Sequence, residues 1–278
     1  MAKLRIAYAG HDFFSSCLAA LLRRADVDVV LCLTSPPGHP TGNVLGLAHR
    51  ARVPVVQGRP TEAVVATFNS LGVDLLVSAA YLYRIPVQRL AARWAVNVHP
   101  SLLPAGRGPN PLPYLVDDRR DACGITLHEM SPEFDAGDVL LQEPVELSER
   151  DGFDELFLRL FAAAPRLLDR LLDDVEKYFS EKRPQGSGSY WPEHTPEQRL
   201  LVADRARVGD AVALHAKFGA VGVLVQLADE RRVNTDRVTA VECAHDYTPG
   251  TVVARLVNGW VVALVNGLMR IDSPQPAV

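Results

Sequence analysis

The first hundred residues alternate between short apolar runs and amphipathic stretches, and this alternation restricts the fold more than any other feature. "KLRIAYAG", "VDVVLCLTS", "VPVVQG", "DLLVSAA" and "WAVNVHP" read as strands. Between them, "FFSSCLAALLRR", "VLGLAHRAR", "TEAVVATFNSLG" and the shorter "VQRLAAR" carry the helical period. Strand-helix alternation of this kind predicts an α/β fold, a doubly wound, Rossmann-like, mainly parallel sheet with helices on both faces. Two further strand-like runs, "GITLHEM" and "DVLLQEPVEL", and a long amphipathic helix from about Asp154 to Lys177 complete a first domain over residues 1–181. At "KRPQGSGSYWPEHTPEQR" the composition turns to Pro, Gly, Ser and charge, so residues 182–204 are expected to be a linker. Beyond it, "AVGVLVQL", "TAVECAHDY", "TPGTVVARLV", "GWVVALV" and "GLMRIDS" are short strands parted by turn residues, which predicts a small C-terminal β-barrel over residues 205–278.

A formal net charge of -4 gives no overall positive field of the kind that draws a protein to nucleic acid or anionic membranes, so a small-molecule partner is expected. Cys17, Cys32, Cys123 and Cys243 form no C-x-x-C pair and lie in or beside apolar runs, which reads as reduced thiols in a cytoplasmic protein. The start "MAKLRIAYAG" runs into a strand pattern without the apolar region of a secretory signal, and no run reaches membrane-spanning length.

Parallel α/β sheets bind ligands beyond the carboxyl ends of their strands, which draws attention to "AVNVHPSLLPAGRGPNPLPYLV". Side chains alternate along a strand, so Asn97 and His99 point to the same side, with Ser101 following if the extended geometry persists. Pro100 and Pro104 stiffen the loop beyond. Further along, "GITLHEMSPEFDAGDVLLQ" places His128 at a strand end and Asp135 in a turn. A carboxylate beside an imidazole favours the imidazolium, and an amide N–H with an imidazolium can stabilise an oxyanion. Asn, His and Asp together suggest acyl transfer without a nucleophilic side chain. His99, His128 and Asp135 are residue types that bind zinc, but there is no close H-x-x-x-H pair and no cysteine beside them, so no metal is expected. The turn "YAGHDFF" lacks G-x-G-x-x-G, which weighs against a dinucleotide oxidoreductase.

"NVHPSLLP" followed by "GITLHEMSPEFDAGDVLLQE" resembles the folate-dependent formyltransferases that act on glycinamide ribonucleotide, methionyl-tRNA and nucleotide-linked aminosugars. The resemblance covers residues 3 to about 180, and more weakly the C-terminal part, which is similar to the oligonucleotide-binding-type barrel of the methionyl-tRNA and aminosugar enzymes. It implies a 10-formyltetrahydrofolate co-substrate, with Asn97, His99 and Asp135 catalytic and His128 and Ser101 supporting. It also implies that "SAAYLYRIPVQ" and the loop before Asp135 hold the pterin, through Tyr83, Arg84, Ile85, Ser131 and Phe134. Gly10, His11 and Asp12 in the first turn, and Arg107 in "GRGP", become candidate acceptor contacts.

The acceptor is the open part of this reading. In methionyl-tRNA formyltransferases the loop after the second strand is rich in Lys, Arg and Gly, whereas "TSPPGHPTGNVLGLAHRA" has no Lys or Arg before Arg50. A small-molecule amine is therefore expected, with a nucleotide-linked aminosugar ahead of an amino acid, hydroxylamine or peptide. Methionyl-tRNA formylation is the alternative, and a non-catalytic folate-binding module is the reading from a different class. The C-terminal barrel also offers a surface for a homo-oligomer.

Overall fold

A computed structural model describes residues 3–277. The chain forms two compact units: residues up to Pro111 with Asp121–Glu146 and Leu158–Trp191, and Leu112–Arg120 with Leu147–Phe157 and the chain from Pro192 onward.

In the first unit, β1 (Leu4–Gly10), α1 (Ser15–Arg23), β2 (Val27–Thr34), α2 (Gly42–Arg50), β3 (Val55–Gln57), α3 (Glu62–Ser70), β4 (Leu75–Ala79) and β5 (Trp94–His99) follow the alternation of the sequence. The chain then passes through α4 (Leu112–Asp117), which clusters with the second unit, and returns for β6 (Gly124–Glu129) and β7 (Val139–Pro144). These strands form one seven-stranded sheet in the order β3-β2-β1-β4-β5-β6-β7. The first five run parallel, while β6 pairs antiparallel with β5 and β7 with β6. The strand order reverses between β1 and β4, and the carboxyl ends of β1, β4 and β5 lie side by side, with Gly10 opposite Ala79 and Ala79 opposite Val98. Ile6, Ala7, Tyr8 and Ala9 of β1 and Leu75, Leu76 and Val77 of β4 are fully buried, as expected of strands covered on both faces. Phe68 of α3 packs with Ala7, Leu31, Leu33, Leu76 and Ile85 on one of those faces. Truncating a fully buried Phe of this kind costs about 3–5 kcal/mol. Burial pushes the Cys17 thiol up, and that of Cys32 up to about 12, so both behave as small apolar groups.

Two sequence expectations differ from the structure here. "VQRLAAR" forms only a 3-10 turn, Val87–Arg89, because it follows Pro86 and offers too few residues for a helix. The long helix is two: α5 (Phe153–Asp173) ends where Asp174 turns out of helical geometry and caps α6 (Val175–Ser180) by accepting the Lys177 N–H at 3.1 Å.

The second unit contains β8 (Leu200–Val202), α7 (Val208–Phe218), β9 (Val223–Gln226), β10 (Arg232–Thr235), β11 (Val238–Glu242), β12 (Val252–Leu256), β13 (Gly259–Leu264), β14 (Gly267–Asp272) and β15 (Gln275–Pro276). They make two four-stranded sheets, β15-β10-β9-β8 and β11-β14-β13-β12. The second is wholly antiparallel, whereas β8 runs parallel to β9 in the first. One buried cluster draws on both sheets and on α7, including Phe218, Val225, Val233, Val262 and Ile271. The helix α7 was not anticipated from the sequence. Among the described residues, no helix is long and apolar enough to cross a membrane.

Candidate active site

The site lies at the carboxyl end of β5. Asn97 sits opposite His128 in the β5–β6 register, so the two side chains share a face of the sheet. The β6–β7 register shifts between Leu127 and His128, a bulge next to the residue that must reach the site. Asn97 Nδ2 lies 3.1 Å from His128 Nε2. His128 Nδ1 is 2.9 Å from the Glu129 carbonyl oxygen, a contact that needs the proton on Nδ1 and leaves Nε2 to accept from the amide. Two residues on from Asn97, His99 is buried, with Nε2 at 2.8 Å from the Gly106 carbonyl oxygen.

Asp135 joins these groups from the loop between β6 and β7, at a left-handed φ of 54° that Asp tolerates better than most residues. Its Oδ1 is 3.4 Å from His99 Nδ1, 3.6 Å from His128 Nε2 and 3.5 Å from Asn97 Nδ2. Its Oδ2 accepts the Gly108 N–H at 2.9 Å. Burial alone would raise the Asp135 carboxyl, but the charge and hydrogen bond of His99 and the hydrogen bond from the Gly108 N–H outweigh it and hold the carboxyl well below the usual range. Both ring nitrogens of His99 face oxygen acceptors, an arrangement that suits its imidazolium. The three contacts to Oδ1 are longer than fully formed hydrogen bonds, so an incoming oxygen or amine can compete for the same N–H groups.

The loop after β5 is pinned by groups that sequence reasoning did not single out. The Thr126 hydroxyl donates to Ser101 O at 2.6 Å and accepts the Leu103 N–H at 3.0 Å, and Gln142 Nε2 donates to Leu103 O at 2.7 Å. Ser101 is fully buried and its hydroxyl donates to Ala105 O at 2.6 Å, so it braces the loop from inside. Arg107 donates to Gln185 Oε1 and the Gly186 carbonyl. Residues 188–191 then run beside the loop: Ser189 N donates to Pro104 O, Arg107 N to Ser189 O, and Trp191 N to Arg107 O at 2.7 Å. Gly106 and Gly108 have φ of 76° and 126°, and a Cβ on either would run into Trp191, so only glycine permits this approach.

The loop 80–86 after β4 and the loop 131–135 meet at Arg84, which donates to the Pro132 carbonyl and stacks 5.7 Å from the exposed Phe134 ring. Tyr83 lies under the Arg59 guanidinium, Ile85 is buried in the core, and Ser131 Oγ donates to Glu133 O. In the first turn, His11 Nδ1 accepts the Phe13 N–H, and burial lowers its pKa. Both Asp12 carboxylate oxygens accept from the start of α2, Oδ2 from Asn43 N at 3.0 Å and Oδ1 from Val44 N at 2.9 Å.

A family model described as formyl transferase matches residues 9–172, a segment that holds all of Asn97, His99, His128 and Asp135. The chain belongs to that family. A methionyl-tRNA formyltransferase of Xanthomonas axonopodis pv. citri is 29% identical over 285 residues, which cover 96% of this chain and 91% of the relative. Among solved structures, HypX from Aquifex aeolicus in complex with tetrahydrofolic acid matches with a TM-score of 0.69 at 17% identity, over 97% of this chain and 44% of its own. The chain thus spans less than half the length of HypX. A sugar N-formyltransferase from a Shewanella species matches with a TM-score of 0.63 at 20% identity, over 83% of this chain and 95% of its own. At these identities the solved structures establish the shared Rossmann-like fold. The protein is an N-formyltransferase, and the site at the end of β5 lies within the matched formyltransferase segment.

Proposed function

We propose that this formyltransferase moves a formyl group from 10-formyltetrahydrofolate to an amino group of a small molecule, with Asn97, His99 and Asp135 as its catalytic residues. The observation that carries the reading is the convergence of Asn97 and His99 N–H groups on one Asp135 oxygen, at 3.5 and 3.4 Å. Tyr83, Arg84 and Ile85, with Ser131 and Phe134, suit the folate: the two loops offer backbone polar groups and an exposed aromatic ring beside Asp135. Bound there, the folate supplies the formyl carbon: the acceptor amine forms a bond to that carbon, the bond from it to the folate nitrogen breaks, and the proton lost by the amine passes to that nitrogen. His99 as imidazolium and Asn97 offer N–H groups to the negative charge that develops on the formyl oxygen. Asp135 keeps the proton on His99 and stays ionised while it does so. His128 holds the Asn97 amide, and Ser101 braces the loop.

For the acceptor, the support is the loop Ser35–Thr41, which contains no Lys or Arg and is closed by the hydrogen bonds of Asp12. A tRNA partner needs cations for its phosphates, and an aminosugar on a nucleotide carrier needs fewer. An amino acid, hydroxylamine or peptide amine would be served by the same chemistry. Gly10, His11, Asp12 and Arg107 are the candidates for contacting the acceptor. A second reading, formylation of methionyl-tRNA, is favoured by the 29% identity that extends over 96% of this chain. Formyl transfer is assigned to residues 1–181, joined by 182–204 to a barrel of the oligonucleotide-binding type at 205–278. The buried cluster shared by the two C-terminal sheets supports closure into a barrel.

The test is an assay of formyl transfer from 10-formyltetrahydrofolate to nucleotide-linked aminosugars, amino acids and initiator methionyl-tRNA, at low and moderate salt. Turnover on a small amine is expected. Salt-sensitive formylation of the tRNA alone would overturn the choice of acceptor and leave the formyl chemistry standing, and no turnover with any amine would favour a folate-binding module.

A further inference from the structure

The segment after α6 contains an amide that touches both loops from which the site is built. Gln185 Nε2 donates to the Asp135 carbonyl at 3.0 Å and to the Gly137 carbonyl at 2.6 Å. Its Oε1 accepts from Arg107 Nε at 3.1 Å and Nη2 at 2.9 Å. Arg107 lies between Gly106, whose carbonyl meets His99 Nε2, and Gly108, whose N–H meets the Asp135 carboxylate. One side chain therefore spans the backbone that supplies the fixed partners of both His99 and Asp135.

The connection is well anchored. Arg183 exchanges backbone hydrogen bonds with Val139, at 2.8 and 2.9 Å, and Ser189 Oγ accepts the Gly106 N–H at 3.1 Å. Gln185 is thus held from both sides between the two loops. Asp135 depends on such bracing, since its left-handed backbone is a conformation that an L residue holds only when its surroundings fix it. Gln185 has the matching donor and acceptor ends. Its NH2 has two hydrogens for the two carbonyls and its oxygen has lone pairs for the two guanidinium N–H groups.

We infer that Gln185 is a positioning residue for formyl transfer: its amide sets the placement of Asp135 relative to His99 without touching substrate. The inference rests on the assignment of Asp135 as catalytic. A displacement of about 1 Å in such a group is enough to cost on the order of a hundredfold in rate.

The discriminating variant is Gln185→Glu, whose carboxylate still accepts from Arg107 but cannot donate to the Asp135 and Gly137 carbonyls. Steady-state kinetics with the acceptor found in the panel would be measured for wild type, Gln185→Glu, Asp135→Asn and the double variant, with melting temperatures alongside. Expected for Gln185→Glu is a loss in kcat of about ten- to a hundredfold, with the KM for the folate donor changed by less than about threefold. In the Asp135→Asn background the same change should lower kcat little further, because residues acting through one another are not additive. Gln185→Ala carries the same expectation should the glutamate variant melt early. Wild-type kcat in the folded Gln185 variants, or an undiminished loss on top of Asp135→Asn, would overturn the positioning role alone. Full activity of Asp135→Asn would overturn the catalytic assignment beneath it, and the inference with it.

Discussion

The turn after β1 and the cluster at the end of β5 draw on the same kinds of side chain, at the same edge of one sheet, and put them to different use. In the first, the two oxygens of Asp12 are taken up by the backbone N–H groups of Asn43 and Val44, and the His11 ring accepts an N–H from its own turn. In the second, Asp135 spends only one oxygen on backbone and turns the other to two imidazoles and an amide. A carboxylate fully engaged by a helix start stabilises local structure. One held among partners that can exchange protons is available for chemistry. Residue type and strand end do not separate the two cases, and the partners do.

The contrast is broken most severely at the β5 cluster. His99→Ala and Asn97→Ala are each expected to lower kcat by about two to three orders of magnitude, as the loss of one oxyanion donor does, with little change in folate binding measured by titration. Wild-type turnover in either variant would make the cluster as structural as the first turn. His128→Ala should have a smaller effect, about tenfold in kcat on the scale of a misplaced group, because it removes the acceptor that orients Asn97. A rise in donor KM with kcat intact would assign His128 to binding instead.

Changes in the first turn should register in stability before activity. Asp12→Ala removes the cap from α2 and is expected to cost about 1 kcal/mol, read as a lower melting temperature, with a smaller effect on kcat. A raised acceptor KM at an unchanged melting temperature would move Asp12 from the capping role to the acceptor site.

The smallest effect concerns acid. Asp135 is held below the value it has in the unfolded chain, so the stability it contributes is complete above that value, about pH 4, and is lost as pH falls towards the lower folded value. Asp135→Asn lacks this contribution at every pH. The difference in melting temperature between wild type and variant should therefore shrink from pH 6 to pH 3, and a constant difference would mean that the carboxylate is not stabilised by its charged form.

The strands that carry the site were legible because parallel strands buried on both faces are written as continuous apolar runs, as in "RIAYA" and "DLLVSAA". Asn97 and His99 could be paired from strand alternation alone, and the link to Asp135 came from the family motif. The roles of Gln185, Ser189 and Thr126 could not be read this way, because their partners lie far away in the chain and their own neighbourhoods carry no period. Gln185 sits between Pro184 and Gly186, and the carbonyls it meets are about fifty residues earlier. The helix α7 escaped notice for another reason: "RARVGDAVALHAKFG" opens on charge and glycine, and its buried positions, Val208, Ala211 and Phe218, are too sparse to outline a face. The break at Asp174 shows the opposite failure, where an unbroken period hid a cap.

The pH–rate profile of Asp135→Asn, set beside that of wild type on the acceptor identified in the panel, tests the catalytic assignment most directly. An amide keeps the shape of the carboxylate and still accepts the Gly108 N–H, but it cannot stabilise the imidazolium of His99. A folded variant is expected, slower by about a hundredfold or more as in other His–Asp pairs, with a pH–rate profile that departs from that of wild type. A wild-type rate with an unshifted profile would contradict the catalytic assignment and leave Asp135, like Asp12, a residue of the turn.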